Sequence, residues 1–396
     1  FFGVIHFNIT QHEQPPLPTT HSLHHSCQKI PNLGRLLIVT SVMNLPIALP
    51  PLKRVLLLPV EKLYEFWMVR RRAWYMAHPE KRYRAPIPVI SVGNISAGGT
   101  GKTPMAIWLL EHYLAQGKTP AYLSRGYGRK TSGYLQVSPG HRSRDVGDEA
   151  LMVALRFPNL PIAVCESRTK GIQRLLETHH PDLIILDDAF QHLKVHRDLD
   201  LLLMDATRMP DQDYLLPGGR LREPLFALTH ADALIVNKLP SELEWNQLSL
   251  RLAPWAKPIA GSSMKVTTLL DTKGTKHSPD TIQGKKAVLF SGLANNDSFH
   301  ALVTSLGAEV IEHQAYPDHY AYRPGDFAAI AAMLNRNPEA IVLTTEKDLA
   351  RSREDLPAEI AARLHAVVIG LSWMGEGMTN ILSQLPLPSA QPDRLP

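Results

Sequence analysis

Residues 87–105 read Ile-Pro-Val-Ile-Ser-Val-Gly-Asn-Ile-Ser-Ala-Gly-Gly-Thr-Gly-Lys-Thr-Pro-Met, and this stretch constrains the fold more than any other. A short apolar run ends in a glycine-rich turn, and an apolar helical pattern begins at Met105. The order strand, Gly-rich loop, helix is the setting of a phosphate-binding P-loop, in which backbone N–H groups face phosphate oxygens. Lys102 then reaches the β- and γ-phosphates and Thr103 contacts Mg²⁺, although Ser96 replaces the usual first glycine.

Composition limits the class of protein. A chain of 396 residues is long enough for two domains, and its 44% hydrophobic and 20% charged residues are typical of a globular protein. The two cysteines, Cys27 and Cys165, are far apart and lack metal-ligand spacing. They indicate neither a disulfide framework nor a zinc site, and a reducing cytosol is expected.

The positive charge is concentrated in one N-terminal segment. Residues 52–86 hold nine Lys or Arg against three Glu, whereas the chain as a whole carries +5. This distribution argues against nucleic-acid binding over the whole surface and favours attraction of one segment to an anionic membrane. Aromatic and basic residues alternate over 55–77, which predicts a helix that either lies at a membrane interface or packs its apolar stripe on the protein; both can hold for different faces.

The remaining pattern predicts an α/β fold with five segments. We expect residues 1–51 to be a non-native or disordered extension. Asn and Pro interrupt the apolar run 36–52, which makes a membrane span the less favoured interpretation. A basic amphipathic, membrane-proximal helix follows in 52–84. A P-loop NTPase-like domain with a mostly parallel sheet occupies 85–255, a smaller α/β domain 256–385, and a tail 386–396. The expected strands are 88–92, 120–124, 160–165, 182–187, 199–204, 233–237, 286–290, 308–313, 340–345 and 365–370.

Several polar clusters follow these strands. Asp187 and Asp188 end an apolar strand, where P-loop enzymes hold Mg²⁺, and adjacent side chains point in opposite directions. One of the two therefore faces the metal and the other a neighbouring loop, and the sequence leaves open which. Asn237-Lys238 resembles a guanine-reading motif, but Pro240 replaces its Asp, so specificity for GTP is not favoured.

Eight polar or Gly-rich stretches follow one another along the chain: 92–94, 99–104, 124–129, 146–149, 187–192, 216–224, 236–238 and 317–319. Together, in this order, they resemble the tetraacyldisaccharide 4′-kinase (lipid A 4′-kinase) family of Gram-negative bacteria, from about residue 56 to 371. Ala150 and Ala189 stand where the family often has Pro and Gly.

The resemblance implies that ATP and Mg²⁺ are used to phosphorylate the 4′-hydroxyl of an acylated glucosamine disaccharide 1-phosphate. The enzyme is then expected at the cytoplasmic face of the inner membrane, peripheral or monotopic, on an anionic surface and without nucleic acid or an obligate protein partner. Asp148 is the expected base, assisted by His319, with Lys102 on the nucleotide. The expected nucleotide contacts are Asn94, Ser96, Gly98, Gly99, Thr100, Gly101, Lys102, Thr103 and Asn237. The expected metal ligands are Thr103, Asp187 and Glu223, and weaker substrate or phosphate contacts are Arg125, Arg129, Asp188, His192 and Arg222.

Two other functions remain open from the residues alone. One is a P-loop ATPase or GTPase switch, although such switches commonly have Lys where this chain has Ala97. The other is a nucleotide-binding scaffold docked on a membrane, with no catalytic turnover. ATP consumption that depends on a lipid disaccharide acceptor separates the kinase from both.

Overall fold

The apolar runs of the sequence form one mixed sheet in the computed structural model, which describes residues 57–384. The order of its strands is β11-β10-β12-β13-β8-β7-β6-β1-β5-β2-β4-β3, with β9 beside β8. Neighbouring strands are parallel except in the pairs β13–β8, β8–β9 and β3–β4. The strands are Val89–Gly93 (β1), Pro120–Ser124 (β2), Leu135–Gln136 (β3), Ile162–Val164 (β4), Leu183–Asp187 (β5), Leu199–Asp205 (β6), Ala233–Asn237 (β7), Ile259–Asp271 (β8), Lys276–His277 (β9), Lys286–Gly292 (β10), Glu309–Tyr316 (β11), Ile341–Thr345 (β12) and Leu364–Met374 (β13).

Helices cover both faces of this sheet. They are Leu58–Ala77 (α1), Lys102–Ala115 (α2), Ser143–Val146 (α3), Asp148–Arg156 (α4), Arg168–Thr178 (α5), Glu242–Leu252 (α6), Asn296–Ser305 (α7), Pro324–Arg336 (α8), Glu346–Ser352 (α9), Ala358–Ala361 (α10) and Gly377–Leu382 (α11). Short 3₁₀ turns lie at Pro79–Lys81, Ala206–Arg208, Pro210–Gln212, Leu225–His230, Ala253–Trp255 and Pro279–Ile282. The α/β class predicted from the sequence is confirmed.

The central strand β1 shows why the first half folds this way. All five of its residues are buried, as expected for a parallel strand covered on both faces. Ile90 and Val92 pack in the cluster that contains Leu109 of α2, whereas Val89 packs in the opposite cluster with Ile172 of α5. The strand therefore delivers its carboxyl end to the edge of the sheet where the Gly-rich loop begins.

Strand β8 was not predicted from the sequence, which is hard to read between residues 242 and 284. Its thirteen residues alternate irregularly between buried and half-exposed positions, and Gly, Ser, Lys and Thr interrupt the apolar pattern. The strand begins parallel to β7 and then runs antiparallel to β13 for most of its length. One continuous sheet therefore links residues on both sides of the expected boundary at 255/256, and the division into two domains stays a prediction.

Helix α1 has an unusual distribution of side chains. Its buried residues are Glu61, Met68 and Arg72, of which two are charged. Its exposed residues include Val60, Leu63, Phe66, Trp67, Trp74 and Met76. One face of α1 thus packs on the protein through polar groups while an apolar face points to solvent. No helix within residues 57–384 is both long and apolar enough to cross a bilayer, and the apolar run 36–52, the extension 1–51 and the tail 386–396 lie outside the described residues.

Candidate active site

The Gly-rich loop connects β1 to α2 in the arrangement expected from the sequence. Gly98 and Gly101 have φ values of 120° and 88°, which L-residues with a side chain rarely adopt. A Cβ on Gly101 would lie 2.0 Å from Nδ2 of Asn237, so this position also requires glycine for close approach. Helix α2 begins at Lys102, which leaves the N–H groups of Lys102 and Thr103 free to face a phosphate.

Neighbouring segments hold this loop in place. Asn94 Nδ2 donates to the Thr100 hydroxyl at 2.9 Å, and Asn237 Nδ2 donates to the Thr100 carbonyl at 3.2 Å. Ser96 pairs with Leu221 in a β-bridge. Asn94, Ser96 and Asn237, all predicted as nucleotide contacts, therefore support the loop through its backbone and side chains.

Asp187 lies at the end of β5, directly beside the P-loop threonine. Its Oδ2 accepts from the Thr103 hydroxyl at 3.1 Å and from Tyr122 Oη at 2.8 Å. Its Oδ1 is buried and has no hydrogen-bond partner among residues 57–384. Burial, with the neighbouring charge of Asp188, raises the pKa of Asp187 to about 6.

An unpaired, buried carboxylate oxygen next to a hydroxyl fits a hard divalent cation such as Mg²⁺. Among the described residues there is no cluster of three or more His, Cys, Asp or Glu suited to a metal ion. Mg²⁺ in phosphate-transferring sites needs only one or two protein carboxylates, because waters and substrate phosphates complete its coordination. Thr103 and Asp187 therefore have the chemistry that a P-loop enzyme uses to hold the ion.

Asp188 has a different environment from its neighbour. It adopts a left-handed conformation with φ of 48°, and Lys102 Nζ lies 3.6 Å from its Oδ1. Arg222 Nη1 lies 3.0 Å from both carboxylate oxygens. Burial opposes the charge, but Lys102 and Arg222 outweigh it and lower the pKa of Asp188. The two adjacent carboxylates thus face different partners, one the P-loop threonine and the other two cations.

A second cluster forms where α4 begins. Asp148 Oδ2 accepts from Nδ1 of His319 at 2.9 Å and from Nε of Arg351 at 2.8 Å. Burial alone would raise the pKa of Asp148, but the hydrogen bond from His319 and the charges of Arg351 and Lys347 lower it. Although 171 residues separate Asp148 from His319, the fold brings together the pair expected from the sequence.

Both clusters lie at one region of the molecule. The P-loop, Asp187 and the segment after β2 all follow the carboxyl ends of parallel strands, which is where open α/β sheets bind ligands. The charge of Glu149, the second residue of α4, acts on Asp187 and raises its pKa, so the two clusters are within electrostatic range. The P-loop cluster and the Asp148 cluster therefore belong to one region whose charges interact.

A polar cavity of about 480 Å³ opens beside Asp188. Four of the residues expected to contact substrate or phosphate line it: Arg125, Asp188, His192 and Arg222. Its other lining residues are Tyr64, Met68, Arg71, Ala97, Arg168, Gln191 and Leu216. Burial and the charge of Arg168 lower the pKa of His192 to about 4. His192 Nε2 accepts from the Arg168 N–H at 3.2 Å, so the neutral ring carries its proton on Nδ1.

Comparison with known proteins identifies the family. A family model described as tetraacyldisaccharide-1-P 4′-kinase matches residues 53–385. Tetraacyldisaccharide 4′-kinase of Chlorobaculum parvum is 39% identical over 305 residues, covering 75% of this chain and 83% of that protein. The corresponding kinase of Chlorobaculum tepidum is 37% identical over 321 residues, covering 79% and 90%. The chain belongs to the tetraacyldisaccharide-1-P 4′-kinase family.

A solved structure has the same architecture. The “apo” form of LpxK from Aquifex aeolicus in complex with ATP aligns with a TM-score of 0.69 and 32% identity. The alignment covers 84% of this chain and 99% of that one. The family resemblance expected from the motifs is thereby confirmed, and neither a nucleotide switch nor a scaffold is favoured.

Two residues expected at this kinase site have other partners. Both oxygens of Glu223, an expected metal ligand, accept from Arg72 at 2.8 Å, and both side chains are 1% exposed. Arg129, an expected phosphate contact, donates to Glu166 at 2.5 Å and does not line the cavity beside Asp188. Each group is committed to an ion pair that the sequence did not reveal.

Other residues at the site were missed by sequence reasoning. Tyr122 donates its phenol hydroxyl to Oδ2 of Asp187, and the guanidinium of Arg168 donates to the Asp187 carbonyl at 3.1 Å. Arg72 lies in the basic segment 52–86, whose charge favours attraction to a membrane, yet its side chain is buried against Glu223. Tyr122, which lies in the middle of the buried strand β2, was the one local signal. The two arginines give no such signal, because their partners are distant in sequence.

Proposed function

We propose that this chain transfers the γ-phosphoryl group of ATP to the 4′-hydroxyl of an acylated glucosamine disaccharide 1-phosphate. The observation that carries the proposal is the unpaired Oδ1 of Asp187 beside Thr103. This carboxylate is within electrostatic range of helix α4, whose first residue, Asp148, is hydrogen-bonded to His319. Phosphoryl transfer depends mainly on positioning and charge neutralisation, and this site provides groups for both.

The nucleotide is held by the P-loop in this proposal. Lys102 neutralises the β- and γ-phosphates, and the N–H groups of the loop and of α2 bind phosphate oxygens. Thr103 and Asp187 hold Mg²⁺, which neutralises charge on the phosphates when bound. We leave Glu223 out of the metal set because both of its oxygens are paired with Arg72.

Asp148 accepts the proton of the attacking hydroxyl. His319 fixes the orientation of the carboxylate through its bond to Oδ2, and Oδ1 accepts no hydrogen bond from the described residues. A sugar hydroxyl is a poor nucleophile, and a positioned base contributes about 10²–10⁴-fold to its reaction.

The cavity beside Asp188 is the proposed site for the phosphorylated sugar. Its guanidinium groups from Arg71, Arg125 and Arg222 suit an anionic sugar phosphate. Helix α1 forms one wall of the cavity through Tyr64 and Met68, while its apolar face points outward. This arrangement suits an acceptor whose sugar enters the cavity while its acyl chains stay with a lipid surface.

Peripheral membrane binding through α1 is part of the proposal. Leu63, Phe66 and Trp67 are exposed by 69%, 58% and 57%, and Arg70 stacks on Phe66 with its guanidinium carbon 5.6 Å from the ring centroid. Exposed aromatic and basic groups on one helix are typical of an interfacial helix. We place it on the anionic cytoplasmic face of a bacterial inner membrane.

The test is ADP formation as a function of acceptor. The purified chain is mixed with ATP, Mg²⁺ and an acylated glucosamine disaccharide 1-phosphate in mixed micelles, and a 4′-deoxy acceptor serves as the matched control. We expect one ADP per acceptor molecule and none above background with the control. ADP formation that does not depend on the acceptor would support a nucleotide switch instead.

A further inference from the structure

Helices α4 and α9 come from opposite sides of the expected domain boundary, yet ion pairs join them along their lengths. The contacts run in antiparallel order and form what we call the α4–α9 ladder: Arg351–Asp148 at 2.8 Å, Lys347–Glu149 at 3.2 Å and Arg156–Glu346 at 3.6 Å. The rung at the start of α4 includes the proposed base. Residues beyond 256 therefore contact the reaction site through this ladder as well as through His319.

Arg351, which pairs with the proposed base, is the most buried of the basic residues in the ladder. Its side chain is 4% exposed, and its Nε donates to Oδ2 of Asp148. His319 Nδ1 donates to the same oxygen at 2.9 Å. Two donors on Oδ2 fix the rotation of the carboxylate. Oδ1 accepts no hydrogen bond within the described part of the chain and is left to accept one from a bound substrate.

The other end of the guanidinium is anchored inside the second half of the chain. Arg351 Nη1 donates to Oδ1 of Asp348 at 3.1 Å and to the Gly292 carbonyl at 3.3 Å. Asp348 is fully buried and also accepts from Tyr322 Oη at 2.9 Å and from Thr345 Oγ1 at 2.6 Å. One planar guanidinium thus donates to Asp148, Asp348 and Gly292, and these three contacts in different directions determine the orientation of Arg351.

We propose that Arg351 is a positioning residue for phosphoryl transfer: it holds the Asp148 carboxylate so that one oxygen points to the acceptor hydroxyl. This inference rests on the proposed function, because Asp148 needs a defined orientation only if it accepts a proton. A purely structural ion pair would stabilise the fold and leave turnover per folded molecule unchanged. Replacing a positioning residue instead lowers kcat, leaves the KM for ATP unchanged, and has its effect only when Asp148 is present.

The experiment compares Arg351→Gln and Arg351→Lys with a control on the same segment. Arg353→Gln is the control, since Arg353 is exposed and donates to the Pro139 carbonyl at 3.0 Å without contacting Asp148. Because a displacement of a catalytic group by 1 Å can lower the rate about 10²-fold, we expect Arg351→Gln to lose about 10–10²-fold in kcat. Arg351→Lys keeps the positive charge but not the planar guanidinium with its several donors, so it should lose less kcat. The control should match the wild type.

A double-mutant cycle makes the assignment specific. In the Asp148→Asn background, Arg351→Gln should change kcat by less than about twofold, because residues that act as a unit are non-additive. Equal losses with and without Asp148 would overturn the proposal, and so would wild-type kcat in both Arg351 variants. Thermal unfolding checks the fold of each variant. If Arg351→Gln is unfolded, the same cycle is measured with Arg351→Lys. Additive losses of kcat in that cycle would overturn the proposal.

The wild type separates this inference from the proposed function. If neither wild type nor Arg353→Gln phosphorylates the disaccharide, the proposed function fails. If both are active and Arg351→Gln equals them, only the positioning role of Arg351 fails.

Discussion

At the scale of residues, the site distinguishes its carboxylates by what each one contacts. Asp187 keeps an unpaired oxygen beside Thr103, Asp188 accepts from Arg222 near Lys102, and Asp148 is held by His319 and Arg351. Burial and charge then move their pKa values in different directions, upward for Asp187 and downward for Asp188 and Asp148. The three carboxylates therefore differ in their partners and in their pKa values, and the tasks proposed for them differ too: a metal ligand, a charge partner and a base.

Removing a charge at the P-loop should abolish most turnover. Lys102→Ala withdraws a cation from the phosphates, and Asp187→Asn withdraws a metal ligand, so each should lose at least about 10²–10³ in kcat while remaining folded. Asp211→Asn is the control, because Asp211 pairs with Arg251 away from the described site contacts. Steady-state kinetics with saturating ATP measures the effect. Near-normal turnover in either variant would contradict the assignment of the loop.

The Asp148–His319 pair should behave as a unit. Asp148→Asn is expected to lower kcat by about 10²–10⁴-fold with little change in ATP affinity, since it removes the base. His319→Ala should have a smaller effect, and the double variant should be close to Asp148→Asn alone. Single-turnover phosphoryl transfer is the measurement. Additive losses would show that His319 acts independently of Asp148.

At the scale of elements, helix α1 joins the reaction site to its surroundings through two faces. Its inner face carries the Arg72–Glu223 pair, which is buried and 151 residues apart in sequence. Its outer face carries large apolar side chains that are 46–69% exposed. Charge reversal of Arg70–Arg72 would therefore damage the inner face, because Arg72 is buried and Arg71 donates to the Gln191 carbonyl.

The outer face of α1 should provide most of the membrane affinity. We expect Leu63→Ser, Phe66→Ser and Trp67→Ser together to weaken binding to vesicles containing anionic lipid by at least about tenfold, given about 1.5–3 kcal/mol per large apolar side chain fully buried. The control replaces Leu243 and Leu250, which are exposed by 68% and 77% on α6. Vesicle co-sedimentation at two salt concentrations is the assay. Equal binding by both variants would place the membrane contact elsewhere.

The ladder between α4 and α9 should make stability depend on pH. Burial raises the pKa of Glu346 to about 7 from an ordinary value of 4.5, partly offset by Arg156. The folded state then keeps a proton that the unfolded chain loses, so the contribution of Glu346 to stability falls as the pH rises from about 4.5 to about 7. Glu346→Gln removes this titration and should raise the free energy of unfolding at pH 8 by up to about 3 kcal/mol.

Urea unfolding at pH 5 and pH 8 measures this effect. The control is Glu354→Gln, a surface partner of Arg142. Relative to the wild type, Glu346→Gln should gain more stability at pH 8 than at pH 5, and the control should follow the wild type at both pH values. An equal change between the two pH values in all three proteins would show that the pKa of Glu346 is not raised in the folded state.

At the scale of the whole molecule, local patterns predicted far more than distant pairings. The strand–loop–helix at residues 88–115 and the strands that end at Asp187 and Asn237 were predictable, because continuous apolar runs and Gly-rich turns are local signals. Strand β8 was not, since its half-buried residues mimic a loop. The pairs Arg72–Glu223 and Arg351–Asp148 depend on tertiary contacts across 151 and 203 residues. No single-sequence pattern encodes such partners.

The position of the transferred phosphate tests the central claim most directly. The chain is incubated with ATP, Mg²⁺ and the acylated disaccharide 1-phosphate, and the product is analysed by mass spectrometry and ³¹P NMR. We predict one additional phosphate on the 4′-oxygen with the wild type and none with Lys102→Ala. ATP converted to ADP and free phosphate, with the disaccharide unchanged, would contradict the account.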